Sequence, residues 1–419
     1  MRYSNHEIKR TPHNIPARVM AKKKILFIHE KFGRMAGAEQ HIIVAAPFLR
    51  EAFDLNLLYW TRTGKDEELV GRWFDQTFQM NFDGPEDEIR NSLKAVLADL
   101  DPDIIYMHKC LSPVMLETIL ESRIPIVRMV HDHEVYCMRT YKYFPWSRKI
   151  CTRKAGLCCL VPCLASIQRD RTKGEFGIKY VSYLNQQRLI KADQQITASF
   201  VVTTFMRDEL IRQGYPPNRI FIFPPTPRNL TEEAPTPAFT NENILVFAGQ
   251  IIRGKGLDAL IKSLALVKTP FKLIVLGEGS HKAYCQQLTV SLGLQDKIEF
   301  KGFIPHEALQ EYYRQATAAI VPSVWPEPIA TWGLEVMRYG LPVIGFDAGG
   351  ISDWLKDGHT GFLIPWMNLG VMAEKIDYLL THKDEARRMG DNARQFIFRH
   401  YNFDDYIDRL RSKLVELAK

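Results

Sequence analysis

Glu327 and Glu335 stand with seven residues between them in the run VPSVWPEPIATWGLEVMRYG, the first just before Pro328 and the second inside a helix-like stretch. The turn between them, PIAT, enters a helix, so the leading backbone N–H groups of that helix lack partners and lie at the positive end of its dipole. Amides placed in this way hold a diphosphate or a sugar hydroxyl. A carboxylate on each side of the turn accepts hydrogen bonds from hydroxyls, which suits a ligand carrying diols at both ends. Two solvated helix-start glutamates have the same spacing by chance, so the neighbouring motifs must decide.

Four further segments carry candidate chemistry. FAGQIIRGKGLDALI places Gln250, Arg253 and Lys255 in a glycine-punctuated turn before a helical run, and VLGEGS places Gly277 and Glu278 at the end of an apolar run. MAGAEQ puts Gly37 between a candidate strand and a candidate helix, and IVRMVHDH ends an apolar run at His131. Each alone is an ordinary α/β turn. Five of the seven cysteines, Cys137, Cys151, Cys158, Cys159 and Cys163, fall in a single segment. Where the compartment keeps thiols reduced, that density argues for metal rather than disulfides. Four thiolates close a tetrahedral zinc site, and the Cys159–Cys163 spacing suits one chelating arm. An iron–sulfur cluster and free buried thiols are the alternatives, while Cys110 and Cys285 read as core residues. The neighbours Arg139, Lys142, Arg148, Lys149, Arg153 and Lys154 make this insert a positively charged flap, suited to an anionic acceptor or lipid head group or simply solvated.

These residues must be positioned by a chain of 419 residues, long enough for two cores, with 46% hydrophobic and 25% charged residues. The formal charge of +7 is small beside 55 basic and 48 acidic side chains, which favours a mixed solvated surface over a nucleic-acid role. No run reaches the roughly twenty apolar residues of a membrane span, and the start MRYSNHEIKRTPHNIPARVMAKKK lacks the apolar core of a signal peptide. The expected location is the cytoplasm. The basic tail 1–21 with Lys22, Lys23 and Lys24 offers a peripheral contact with the inner membrane face, or a solubilising flank.

Short apolar runs alternate with segments of helical spacing, first KKKILFIHEKF, LNLLYW, DIIYMH, PIVRMVHD, SFVVTT and RIFIFPP, then ILVFAG, KLIVLG, IEFKGF and AAIVPS. That alternation predicts α/β architecture with parallel sheets covered on both faces. Residues 224–243 are rich in proline and polar groups and read as a linker between an N-terminal domain 22–223, carrying the insert 137–163, and a C-terminal domain 244–399. Residues 400–419 have helical spacing, either as an ordinary terminal helix or as one that crosses back onto the first domain. Ligand is expected in the cleft at the strand carboxyl ends.

The stretch Val321–Ile364, with Glu327, Glu335 and GLPVIGFDAGGISDWLKDGHTGFLI, resembles the E-x7-E element of glycosyltransferase family 4. The resemblance covers nearly the whole chain from Lys24 onward and is most specific in its second half. It implies a GT-B fold, two Rossmann-like doubly wound domains facing across a cleft, and retaining transfer of a sugar from a nucleoside diphosphate sugar to a glycan, lipid-linked or other hydroxyl acceptor. By the same resemblance Glu327 faces the donor sugar, Glu335 the ribose, Lys255 the β-phosphate, and His131 the sugar and acceptor hydroxyl. Ile329 and Ala330 stand where the family has Phe-Gly, and with Thr331 they line the donor site. Gln250 stands where the family has arginine, leaving Arg253 to supply the charge, and Gly37, Gly277 and Glu278 fall on its other phosphate-side loops. No divalent cation is required for catalysis on this reading. A non-catalytic nucleotide-sugar or glycan-binding subunit and a nucleotide-sugar epimerase of the same fold are the rival readings.

Overall fold

A computed structural model describes residues 22–33, 37–82, 84–169, 177–226 and 242–419, together with Pro237 and Phe239. The basic tail 1–21, residues 34–36 before Gly37 and most of the expected linker lie outside the described residues.

The first main sheet comprises β1 (Lys23–Ile28), β2 (Phe53–Tyr59), β3 (Gln76–Gln79), β4 (Ile104–Met107), β5 (Ile126–Val130), β6 (Ala198–Val201) and β7 (Ile220–Ile222). Its spatial order is β3-β2-β1-β4-β5-β6-β7, and every pairing is parallel. The second comprises β8 (Ile244–Ala248), β9 (Lys272–Leu276), β10 (Ile298–Gly302), β11 (Ala318–Val321), β12 (Val343–Phe346) and β13 (Gly361–Ile364), ordered β10-β9-β8-β11-β12-β13 and again all parallel. Helices cover both faces of such sheets, so strands such as IIYM and AAIV are buried throughout and read as continuous apolar runs. Each order reverses direction once, between β1 and β4 and between β8 and β11. Those reversals open a crevice at the strand carboxyl ends.

Helices α1 (Gly37–Leu49), α2 (Leu257–Leu264), α3 (Thr331–Arg338) and α4 (Phe403–Leu417) position the residues that matter most. The terminal helix α4 starts where the Asn402 side chain accepts the Asp405 amide at 3.0 Å, and buries Phe403, Tyr406, Ile407, Leu410 and Leu414 along one face. That face lies on α1 of the first domain, with Phe48 and Phe403 edge to face at 5.2 Å and Arg411 paired with Glu51. The three N-terminal lysines turn inward to carbonyls at helix ends: Lys22 to Arg50 (2.6 Å), Lys24 to Leu100 (2.9 Å) and Lys23 to Ala418 (3.1 Å). Cations there complement the negative ends of the helix dipoles.

One charge is buried inside the first sheet. Arg128 on β5 is 1% exposed and is paired with fully buried Asp193, which also accepts the Tyr215 hydroxyl at 2.8 Å. Removing one partner leaves the other charge without compensation in a low-dielectric interior. Asp193→Ala is expected to destabilise the protein by about 3–5 kcal/mol, measured as a shift of the urea midpoint at unchanged slope.

Candidate active site

The loop after β11 doubles back so that Glu327, 3% exposed, meets Lys255 from the turn after β8. Glu327 Oε1 accepts from Lys255 Nζ at 2.7 Å, from Ser323 Oγ at 2.5 Å and from Trp325 Nε1 at 2.7 Å. The Lys255 ammonium also lies 5.3 Å from the Trp325 ring centroid. This approach depends on loops that touch backbone to backbone. At Gly256 (φ +73°) a Cβ would lie 1.8 Å from the Pro322 carbonyl oxygen, and at Gly277 (φ +142°) 1.9 Å from that of Gly249.

Glu335 sits on α3, 3.5 Å from the Tyr313 hydroxyl and 3.5 Å from His306 Nδ1, with burial pushing its carboxyl up. The two glutamates therefore serve separate places on either side of the Ile329–Ala330–Thr331 entry to α3. Ala330 occupies the left-handed region at φ 57° where the family pattern has glycine, so the helix entry keeps its shape at a cost in strain. Ile329 is buried, its carbonyl held by Trp354 Nε1 at 2.6 Å.

The remaining donor-side residues are distributed around this pair. Gln250 is exposed at the start of the turn. Arg253 turns toward the insert and donates to the Pro145 carbonyl at 2.7 Å. Glu278, after Gly277, is ion-paired with Lys282 at 2.6 Å. Gly37 opens α1.

Across the crevice, His29, His108 and His131 are the residues immediately following β1, β4 and β5, three adjacent strands. His131 Nε2 is 2.9 Å from His108 Nδ1 with the rings stacked at 5.2 Å, and nitrogens of His41, His108 and His131 lie within 4.8 Å of one another. His29 meets Glu39 at 2.9 Å, and His41 is bonded to Tyr406 of α4. Burial holds His41 at about 4 and, with the neighbouring imidazoles, holds His108 and His131 well below the ordinary range. His41, His108 and His131 are therefore neutral at pH 7. His108 and His131 border a pocket also lined by Lys109, Asp132 and Glu134, where burial raises the Asp132 carboxyl to about 6. His131 was anticipated from the sequence. Its partners were not, although each apolar run ending in histidine was the available signal.

The two halves are tied directly. His133 Nε2 bonds the Pro326 carbonyl at 2.8 Å, next to Glu327, and Thr203 donates to the Pro328 carbonyl at 2.8 Å. Asp353 accepts both the amide and hydroxyl of Thr204, each at 2.6 Å. From the insert, Arg148 forks onto Asp258 of α2 at 2.6 and 3.0 Å, and Tyr141 packs on Trp325 at 5.3 Å. Cys137, Cys151, Cys158, Cys159 and Cys163 all line one pocket at the base of that insert, outside the crevice, while Cys110 and Cys285 are buried elsewhere. Burial pushes the Cys159 thiol up to about 11 and those of Cys137 and Cys163 upward.

Residues 229–396 match the glycosyl transferases group 1 family. The solved structure of HepE from Anabaena, in complex with UDP and glucose, superposes with a TM-score of 0.70 at 17% identity, covering 94% of this chain and all (100%) of that one. The fold is GT-B. An uncharacterised glycosyltransferase of Methanocaldococcus jannaschii is 28% identical over 167 residues, 39% of this chain and 43% of the relative. A D-inositol 3-phosphate glycosyltransferase of Nocardia farcinica is 30% identical over 162 residues, 36% of each chain. The chain thus spans about 43% and 36% of the length of these two curated relatives. The family match marks the second GT-B domain, which carries Lys255, Glu327 and Glu335, as a glycosyltransferase domain.

Two stability outcomes follow from this geometry. Ala330→Gly is expected to raise stability by about 1 kcal/mol by removing left-handed strain, read from chemical denaturation. Burial holds His133 at about 4, below its unfolded value of 6.5. As pH falls from 6.5 toward 4, the unfolded state gains a proton that the folded state does not, so stability is lost across that window. Relative to wild type, His133→Gln should flatten the pH profile by up to about 1.4 kcal/mol per pH unit there and leave the slope above pH 7 unchanged.

Proposed function

We propose that this protein is a retaining glycosyltransferase that moves a sugar from a nucleoside diphosphate sugar to a hydroxyl acceptor. The observation that carries the reading is the Lys255–Glu327 pair, set at the strand carboxyl ends of the second domain and facing the histidine-lined end of the first. The structure of HepE with UDP and glucose and the glycosyltransferase names of the curated relatives support a nucleotide-sugar donor.

In this reading Lys255 is held ready by Glu327 and exchanges part of that contact for the β-phosphate as negative charge grows on the leaving nucleotide. The amides at the start of α3 face the same diphosphate. Glu327, with Oε1 already occupied by three donors, presents its remaining oxygen to the donor sugar hydroxyls, and Glu335 holds the ribose diol. His131, kept neutral by burial and its neighbours, orients the sugar and acceptor hydroxyls without adding charge. The pocket beside it, with Lys109 and Asp132, receives the acceptor. Attack on the face from which the nucleotide departs lets the leaving phosphate take the acceptor proton, so no protein nucleophile and no divalent cation enter the scheme.

The test is donor hydrolysis and transfer over a panel of nucleoside diphosphate sugars, with melting temperature followed in parallel. A cognate nucleoside diphosphate should raise the melting temperature, and Lys255→Met should lower turnover by about 10²–10³-fold, the range for losing one charge-stabilising donor. Stabilisation by donor without turnover for any acceptor would instead identify a binding subunit.

A further inference from the structure

The insert between β5 and β6 is poor in regular structure and in core, yet it carries one of the contacts that bridge the domains. Among its residues 137–165, regular structure is limited to the turn Leu157–Cys159 and a single bridge between Tyr143 and Ile150. Leu157, Val161 and Trp146 are more than 70% exposed. Four non-glycine residues, Thr140, Lys142, Arg148 and Leu164, have φ between 51° and 64°. Backbone held in that region persists only where the surroundings over-determine it, and a short segment without a core normally needs a covalent or metal crosslink.

The crosslinking groups are present. Cys137 and Cys151 flank the hairpin whose tip bears Pro145 and Arg148, and Cys151 closes its base through a 2.8 Å bond to the Lys142 carbonyl. Cys158, Cys159 and Cys163 line the same pocket as these two, and that pocket is partly open to solvent. No carboxylate lines that pocket, whereas Arg139, Lys142, Arg153 and Lys154 do. The Cys137 sulfur also lies within reach of the backbone amides of Arg139 and Lys142. A cationic, amide-lined cage of thiols is complementary to an anionic metal–thiolate centre.

Spacing separates the kinds of centre. Tetrahedral zinc with Zn–S of about 2.3 Å holds its sulfurs about 3.8 Å apart, but no three of these sulfurs lie within 4.8 Å of one another. A polynuclear cluster interposes iron atoms between its centre and each thiolate and therefore needs the wider cage. We infer that Cys137, Cys151, Cys159 and Cys163 hold a structural iron–sulfur cluster that fixes the hairpin tip against the donor-side loop of the second domain. Cys158 stands apart, its thiol turned to the Lys154 carbonyl at 3.4 Å. The cluster's role is mechanical: it holds Pro145 and Arg148 where they meet Arg253 and Asp258.

The experiment is elemental analysis of the full chain purified without oxygen, with acid-labile sulfide, zinc and the visible spectrum measured together. Expected are about two to four irons with matching sulfide per chain and a visible charge-transfer band. Both should be lost in Cys151→Ser and Cys159→Ser and kept in Cys285→Ala. Removing the cluster from the wild type should increase amide exchange at least tenfold in residues 142–151 while leaving β8–β13 protected. One zinc per chain, a disulfide among these five cysteines, or metal-free protein with five free thiols would each overturn the inference. None of those results would bear on sugar transfer, so the two readings fail separately.

Discussion

The second domain is organised around the close approach of backbone to backbone at the carboxyl ends of its strands. Gly256 against the Pro322 carbonyl and Gly277 against that of Gly249 leave no room for a side chain; the first contact brings the turn after β8 under the loop after β11, and the second packs it on the loop after β9. With the loops in register, the Lys255 ammonium and the Glu327 carboxylate fall 2.7 Å apart, flanked by Ser323 and Trp325. A buried carboxylate without that cation would carry a large desolvation penalty. The ion pair and the loop packing therefore stabilise each other.

The first domain meets this loop with neutral rather than charged groups. His29, His108 and His131 end adjacent strands, and burial keeps His108 and His131 uncharged. His133 and Thr203 bond the carbonyls of Pro326 and Pro328, on either side of Glu327. Hydrogen bonds to backbone locate the crevice without placing a competing charge beside the lysine. The helix α4 reinforces the arrangement by returning from the second domain to lie on α1, where Tyr406 reaches His41.

The architecture was legible from the sequence because parallel strands buried on both faces are continuous apolar runs, and DIIYMH and AAIVPS each ended where a strand ends. Lys255 and Glu327 stood out in the sequence because they lie in turns marked by glycine and proline, and Glu335 because it falls in the helical run that follows such a turn. The partners of His131 were not. His108 lies 23 residues away and His41 still farther, and what joins them is the lateral order β1-β4-β5. Arg253 shows the same limit: its position in the turn suggested a phosphate-side charge, while its guanidinium is held by Pro145 of the insert.

The amino-acid sequence by itself determined which segments become strands and helices, where the glycine turns fall, and which side chains of a catalytic type stand at strand ends, since all of these depend on neighbours within a few residues. Only the tertiary structure decided which of those ends face each other. Strand order, the return of α4 and the reach of the insert to Asp258 bring together residues that are distant along the chain, and their contacts form only once both sheets are packed.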